Sequence, residues 1–119
     1  MKATETATHP ARCLKCRRIL RRPTPDGYGP KCRRKVHTAA RTERTSPNSR
    51  YQGWQINKAI ELLEMGAVVP LRQNRIFLVV SDDGSEIYRT AASGQCNCPA
   101  GLRSVRCYHA AAARFAQAA

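Results

Sequence analysis

Residues 96–109 read CNCPAGLRSVRCYH and set three cysteines and a histidine in the order C-x-C, eight residues, C-x-H. Cys96, Cys98, Cys107 and His109 together make the donor set of a tetrahedral Cys₃His zinc site. A C-x-C pair on a tight turn can put both sulfurs on one ion, and Pro99 and Gly101 let the chain leave that turn. The loop is long enough to return. Cys107 and His109 then stand at the start of an Ala-rich tail, AAAARFAQAA, which favours helix. Four protein ligands leave no open coordination position, so a metal here is structural and not catalytic.

The sequence around this stretch has to supply the scaffold. Residues 75–81 and 86–92 are rich in β-branched and aromatic side chains, and Asp83-Gly84 between them is a turn signal, which predicts a β-hairpin. Residues 67–72 add a strand that Pro70 confines to an edge. Further upstream, Ser49-x-x-Gln52 has the form of a capping box. Ile56, Ala59, Ile60, Leu63 and Ala67 follow at helical spacing, Gly66 suits the helix stop, and Trp54 is expected in the core.

The first half carries a second constellation: Cys13-x-x-Cys16, fifteen residues, Cys32, four residues, His37. A C-x-x-C knuckle is a strong half-site. The segment GYGPKC leads into a helix with Pro30 in its first turn. The fourth ligand stays open. His37 is the first choice, yet five residues along a continuous helix is about 500° of rotation, about 140° from facing the same ion. It can share the ion only if the helix breaks early. His9, just before Cys13, is the competitor, and water or a partner group is the third alternative.

These readings predict an α+β protein of two small zinc-stapled modules, with two Zn²⁺ per chain. Residues 9–37 form a basic N-terminal knuckle, 38–48 a basic linker, and 49–118 a helix, a small sheet and a finger. Residues 1–10 read as disordered. A chain of 119 residues buries a modest core, and halves this small need a staple. Disulfides are the poorer staple. The start, MKATETATHPARC, lacks the apolar core of a secretory signal, and the expected setting is a reducing cytoplasm. The longest apolar run, IFLVV at 76–80, is far too short to span a membrane.

Charge narrows the partner. Lys and Arg number 21 against 8 Asp and Glu, a net +13. Fourteen of the cations and three of the anions lie in residues 1–50, which leaves that half at +11 and the rest at +2. Two zinc sites of three thiolates each lower the total only to about +11. Arg17, Arg18, Arg21 and Arg22 in CRRILRR, and Arg33, Arg34 and Lys35 in KCRRK, flank the same cysteine cluster and must converge in space. Cations gathered in this way repel one another unless an anion is present. Nucleic acid is the expected partner, DNA before RNA. An acidic host protein is the alternative, and a solvated surface the third reading. Tyr28, Tyr51 and Tyr108 are too scattered to argue for base stacking. No Walker loop, dinucleotide glycine pattern, HExxH or GxSxG occurs, and the deaminase H-x-E with P-C-x-x-C is missing, so no enzyme and no small-molecule substrate is expected.

The order C-x-C, loop, C-x-H, behind a hairpin and ahead of a helix, resembles the SWIM zinc finger over roughly residues 75–117. That module is associated with bacterial ATPases related to the chromatin-remodelling helicases, plant transposases and some eukaryotic ligases. The resemblance implies a ββα finger with Cys96, Cys98, Cys107 and His109 as ligands, and binding to DNA or protein without naming which. RCLKCRRILRRPTPDGYGPKCRRK is similar to a small zinc-finger-like module of actinobacterial and actinophage proteins in which C-x-x-C, a proline-rich turn and GYGPxC recur. That likeness implies a phage or actinobacterial origin. The function expected is that of a non-enzymatic zinc protein that binds nucleic acid, a small transcription-associated regulator. The alternative is an interaction module that docks on an acidic host protein through an apolar patch beside the finger.

Overall fold

The computed structural model describes residues 11–72, 75–81, 83–103 and 105–118; residues 1–10, with His9, lie outside them. Among the described residues four helices and three strands follow in the order α1 (Pro30–Thr45), α2 (Gly53–Glu64), β1 (Val68–Arg72), β2 (Ile76–Val80), β3 (Ile87–Ala91), α3 (Pro99–Leu102) and α4 (Tyr108–Gln117). This is an α+β fold. Its centre is the Ala-rich helix α4. Ala110, Ala111, Ala112, Ala113 and Ala116 are each no more than 1% exposed, and α4 packs against α1, α2 and all three strands. These methyl side chains let neighbours approach closely, while Arg114 and Gln117 keep one side of the helix in solvent.

The sheet is antiparallel in the order β1-β2-β3, with β1 at an edge as Pro70 requires. Val68, Val79 and Tyr88 pair across the strands, as do Pro70, Phe77 and Thr90, so these residues share one face. Val68, Phe77, Val79 and Thr90 are buried on it, towards α4. The opposite face keeps Val69 and Ile87 in solvent, and Leu71 is exposed at the irregularity between Pro70 and Arg72.

Of the expected stripe, Ile56, Ala59 and Leu63 of α2 are buried with Leu62 added, Ile60 is half-buried, and Ala67 is buried beyond the helix end. Gly66 ends the helix at φ 74, against the Pro25 carbonyl. Its cap differs from expectation. Gln52 is the N-cap and its N–H donates to Gln55 Oε1 at 2.9 Å, while the Ser49 hydroxyl turns back to Glu43 Oε2 at 2.7 Å. Trp54 is 57% exposed and not in the core. It stands two residues before Ile56, about 160° around the helix from it. Tyr51 is buried instead.

The segment expected as a linker, 38–48, is helical through Thr45. Cys32, Val36 and Ala40 recur every four residues and give α1 a narrow buried stripe. They pack in a core cluster that also contains Ile56, Leu62, Phe115 and Val79, so α1 has neighbours in the second half of the chain. Glu43 fastens this end by accepting from the Ser49 hydroxyl and the Arg50 N–H, and it pairs with Arg114 of α4 at 3.6 Å.

Candidate metal centres

Cys96, Cys98, Cys107 and His109 are all buried, and their donor atoms lie within 4.8 Å of one another. The sheet positions the first ligand. The Ala91 N–H donates to Gln95 O at 2.7 Å, and the Arg89 N–H to Asn97 Oδ1 at 2.9 Å. Residues 95–97 thus run along the free edge of β3 and bring Cys96 Sγ to 3.3 Å from the Thr90 hydroxyl. Cys98 caps α3, with Pro99 at the first helical position, and its sulfur accepts the Gly101 N–H at 3.3 Å. A side chain at Gly101 would put a Cβ 2.0 Å from the Cys96 carbonyl oxygen, so the turn closes only over glycine. Cys107 then caps α4 and His109 follows inside its first turn. The Gln55 amide holds the returning loop through the Arg106 carbonyl at 3.1 Å.

His109 gives the clearest sign of what the cluster is for. Both its ring nitrogens are buried without a hydrogen-bond partner among the described residues. Tyr88 and Tyr108 pack on the ring at centroid distances of 4.9 and 4.2 Å. A buried polar group left unpaired costs about 1–3 kcal/mol. A metal on one nitrogen removes that penalty, and three sulfurs already converge there. The thiols are polarised to match. A hydrogen bond from the Cys107 thiol, outweighing burial and joined by the Thr90 hydroxyl, draws the Cys96 thiol well below its ordinary value. Cys107, as donor in that bond and buried, is pushed up.

The second cluster joins Cys13, Cys16 and Cys32. The knuckle is a tight reversal bridged between Arg12 and Ile19, with the Cys13 N–H donating to Arg18 O at 2.9 Å and the Arg17 N–H to Cys13 O at 3.0 Å. Arg17 adopts a left-handed φ of 65, a conformation that costs a non-glycine residue about 1–2 kcal/mol. Burial raises the Cys13 thiol, but backbone N–H groups of Gly29, Cys16 and Lys15 outweigh it and draw Cys13 down to about 7. Cys32 is pushed up to about 11 by burial and by donating to Cys13 and Cys16. Cys13 and Cys32 are buried and Cys16 is exposed, and all six cysteines are free thiols.

His37 does not join this cluster. Helix α1 runs unbroken from Pro30 to Thr45, so the rotation of about 140° from Cys32 turns the imidazole away. The set of expected anion contacts also changes. Arg17, Arg18, Arg21, Arg22, Arg34 and Lys35 are exposed. Arg33 is not free for an anion: Nε donates to Asp26 Oδ2 at 2.7 Å and Nη2 to Oδ1 at 3.1 Å. Asp26 also accepts the Tyr28 N–H at 3.0 Å, so it clamps the loop that delivers Cys32. Burial opposes its charge, yet the Arg33 and Tyr28 hydrogen bonds keep its carboxyl below the ordinary value. The sequence does hold a signal for this clamp, an Asp two residues before Tyr28 and seven before an Arg, but the crowd of other arginines hides which one answers it. Thr90 and Gln55, which support the other cluster, carry no local signal, because their partners are 6 and 51 residues away.

Two cysteine clusters, one completed by a histidine, could thus each hold a metal ion. No helix among the described residues is long and apolar enough to cross a membrane. No family model, curated protein or solved structure matches the chain.

Proposed function

We propose that this chain is a non-enzymatic protein, stapled by two zinc ions, that binds nucleic acid through its N-terminal half and acts as a small transcription-associated regulator. Thiolate-rich tetrahedral sets favour Zn²⁺ over hard cations, and the Cys₃His set is a common structural type. The C-x-C…C-x-H order between a sheet and a helix suits a SWIM-like finger, whose metal would hold the C-terminal half together. The observation that carries the binding function is the exposed cation set Arg17, Arg18, Arg21, Arg22, Arg34 and Lys35 around the Cys13, Cys16 and Cys32 cluster. Phosphates are the natural counter-charge, and contacts to them carry no sequence information.

The test is fluorescence anisotropy with duplexes and single strands of several sequences across a salt series. Six phosphate contacts on duplex DNA give a log–log slope of about −5. Replacing Arg17, Arg18, Arg21 and Arg22 by Gln flattens the slope and weakens all sequences alike, while zinc content stays constant. Binding weaker than about 100 μM at 50 mM salt, below ordinary non-specific affinity, overturns the proposal.

A second reading rests on the outer sheet face and the irregular end of β1. Val69, Leu71 and Ile87 are 41, 46 and 64% exposed, and Leu102 beside the finger is 74% exposed. Arg89 projects in their midst, paired in register with Leu78. Such a surface suits an acidic host protein. A pull-down with and without nuclease separates the two readings: partners that vanish with nuclease belong to the first.

A further inference from the structure

The helix that replaces the expected linker carries a face with a composition of its own. At about 100° per residue, Arg41, Arg34, Thr38, Lys31, Thr42 and Lys35 of α1 fall within one arc of about 120°. All six are exposed, and no acidic residue lies in the arc. The other arginines of α1 point elsewhere and are held by the protein: Arg33 by Asp26, and Arg44 by Asn57. The helix's one acid, Glu43, lies off the arc, bonded to Ser49 and Arg50 and paired with Arg114. No ion pair among the described residues engages Lys31, Arg34, Lys35 or Arg41. The sixteen residues of α1 span about 24 Å, and its opposite side is anchored through Cys32, Val36 and Ala40. The first turn carries Cys32, whose sulfur lies within 4.8 Å of those of Cys13 and Cys16, so the knuckle that bears exposed Arg17 and Arg18 meets the same end of the helix as Lys31 and Arg34.

Resting on the nucleic-acid reading above, we infer that α1 enters the major groove of duplex DNA. Its arc lies on base edges, and Arg17 and Arg18 sit on flanking phosphates. The groove is about 12 Å wide and admits one α-helix. Arg and Lys are donors to guanine O6 and N7, and a Thr methyl packs on the thymine methyl. An acid-free arc of those three residue types suits both the floor and the walls of that groove. A-form RNA does not fit, because its major groove is too deep and narrow for side chains to read.

The full chain is titrated against three labelled probes of one sequence: duplex DNA, the same duplex with glucosylated 5-hydroxymethylcytosine filling the major groove, and duplex RNA. Plain duplex DNA is expected to bind at least about tenfold more tightly than either of the others, since a lost base contact is worth roughly that much. The variant R34Q/K35Q/R41Q should keep its metal and its melting curve and lose that preference. If it fails to fold, Thr38→Glu adds one anion to the arc, leaves every cation in place, and should weaken duplex binding at least about tenfold. Equal binding to all three probes, or unaltered binding by Thr38→Glu, overturns the groove assignment and leaves nucleic-acid binding intact. Failure to bind any of the three overturns both.

Discussion

Gly101→Ala is the sharpest test of the C-terminal centre. Its Cβ would stand 2.0 Å from the Cys96 carbonyl oxygen, 2.7 Å from the Cys96 carbonyl carbon and 3.0 Å from the Cys96 Cβ. Two of these neighbours are backbone and cannot rotate aside. Restoring an ordinary separation of about 3.2 Å, set by van der Waals contact, means moving one strand of the turn by more than about 1 Å. Metal–ligand distances tolerate only about 0.2 Å. The displacement therefore exceeds what the Cys96 and Cys98 sulfurs can absorb while sharing an ion, and the site should open. Overpacking alone costs about 1–3 kcal/mol, and loss of the metal adds to it. The assay is metal content by elemental analysis, with thermal melts run with and without chelator. Wild-type protein should hold two equivalents and lose stability on chelation. The variant should hold about one equivalent and melt earlier. Gly53→Ala is the control: no atom lies within 4 Å of its added Cβ, and in the first turn of α2 it should stabilise by a few tenths to about 1 kcal/mol. A Gly101→Ala protein with full metal content and an unshifted melt would refute the closed-turn argument.

Two further substitutions probe how the clusters are held. His109→Phe keeps a ring between Tyr88 and Tyr108 but removes both nitrogens; it should lose the C-terminal metal and retain the other, whereas an imidazole that serves only as packing would leave the count unchanged. Asp26→Asn should cost about 1.5–3 kcal/mol at neutral pH by removing the charge-assisted bonds to Arg33, and should loosen the loop that delivers Cys32. Because the folded protein holds the Asp26 carboxyl below its ordinary value, its contribution is present in full above about pH 4 and fades as pH falls through the lowered value. Wild type and variant melting curves should converge at that acid end, and a gap that stays constant with pH would exclude an ionised Asp26 as the cause.

The residues of both clusters were legible in the sequence because metal ligation is written in short spacings. C-x-C with C-x-H, and C-x-x-C with a distant cysteine, place their donors by turn geometry that a few local residues control. The hairpin, the edge strand and α2 were legible for a related reason, since each shows its own period and punctuation within about a dozen residues. Tertiary structure decided the rest. Residues 38–45 are polar and have no apolar face strong enough to signal a helix; they are helical because Cys32, Val36 and Ala40 are buried with residues of α2 and α4 in one core. That continuous helix excluded His37 from the cluster. It also gathered Lys31, Arg34, Lys35 and Arg41 on one side, where the sequence showed only a charged run. Arg33 and Arg34 are neighbours in the chain and look alike in it, yet one is pinned to Asp26 and the other faces solvent. Which arginine holds the fold and which is left to bind depends on the direction each side chain takes from the helix, and packing sets that direction only once α1 has formed.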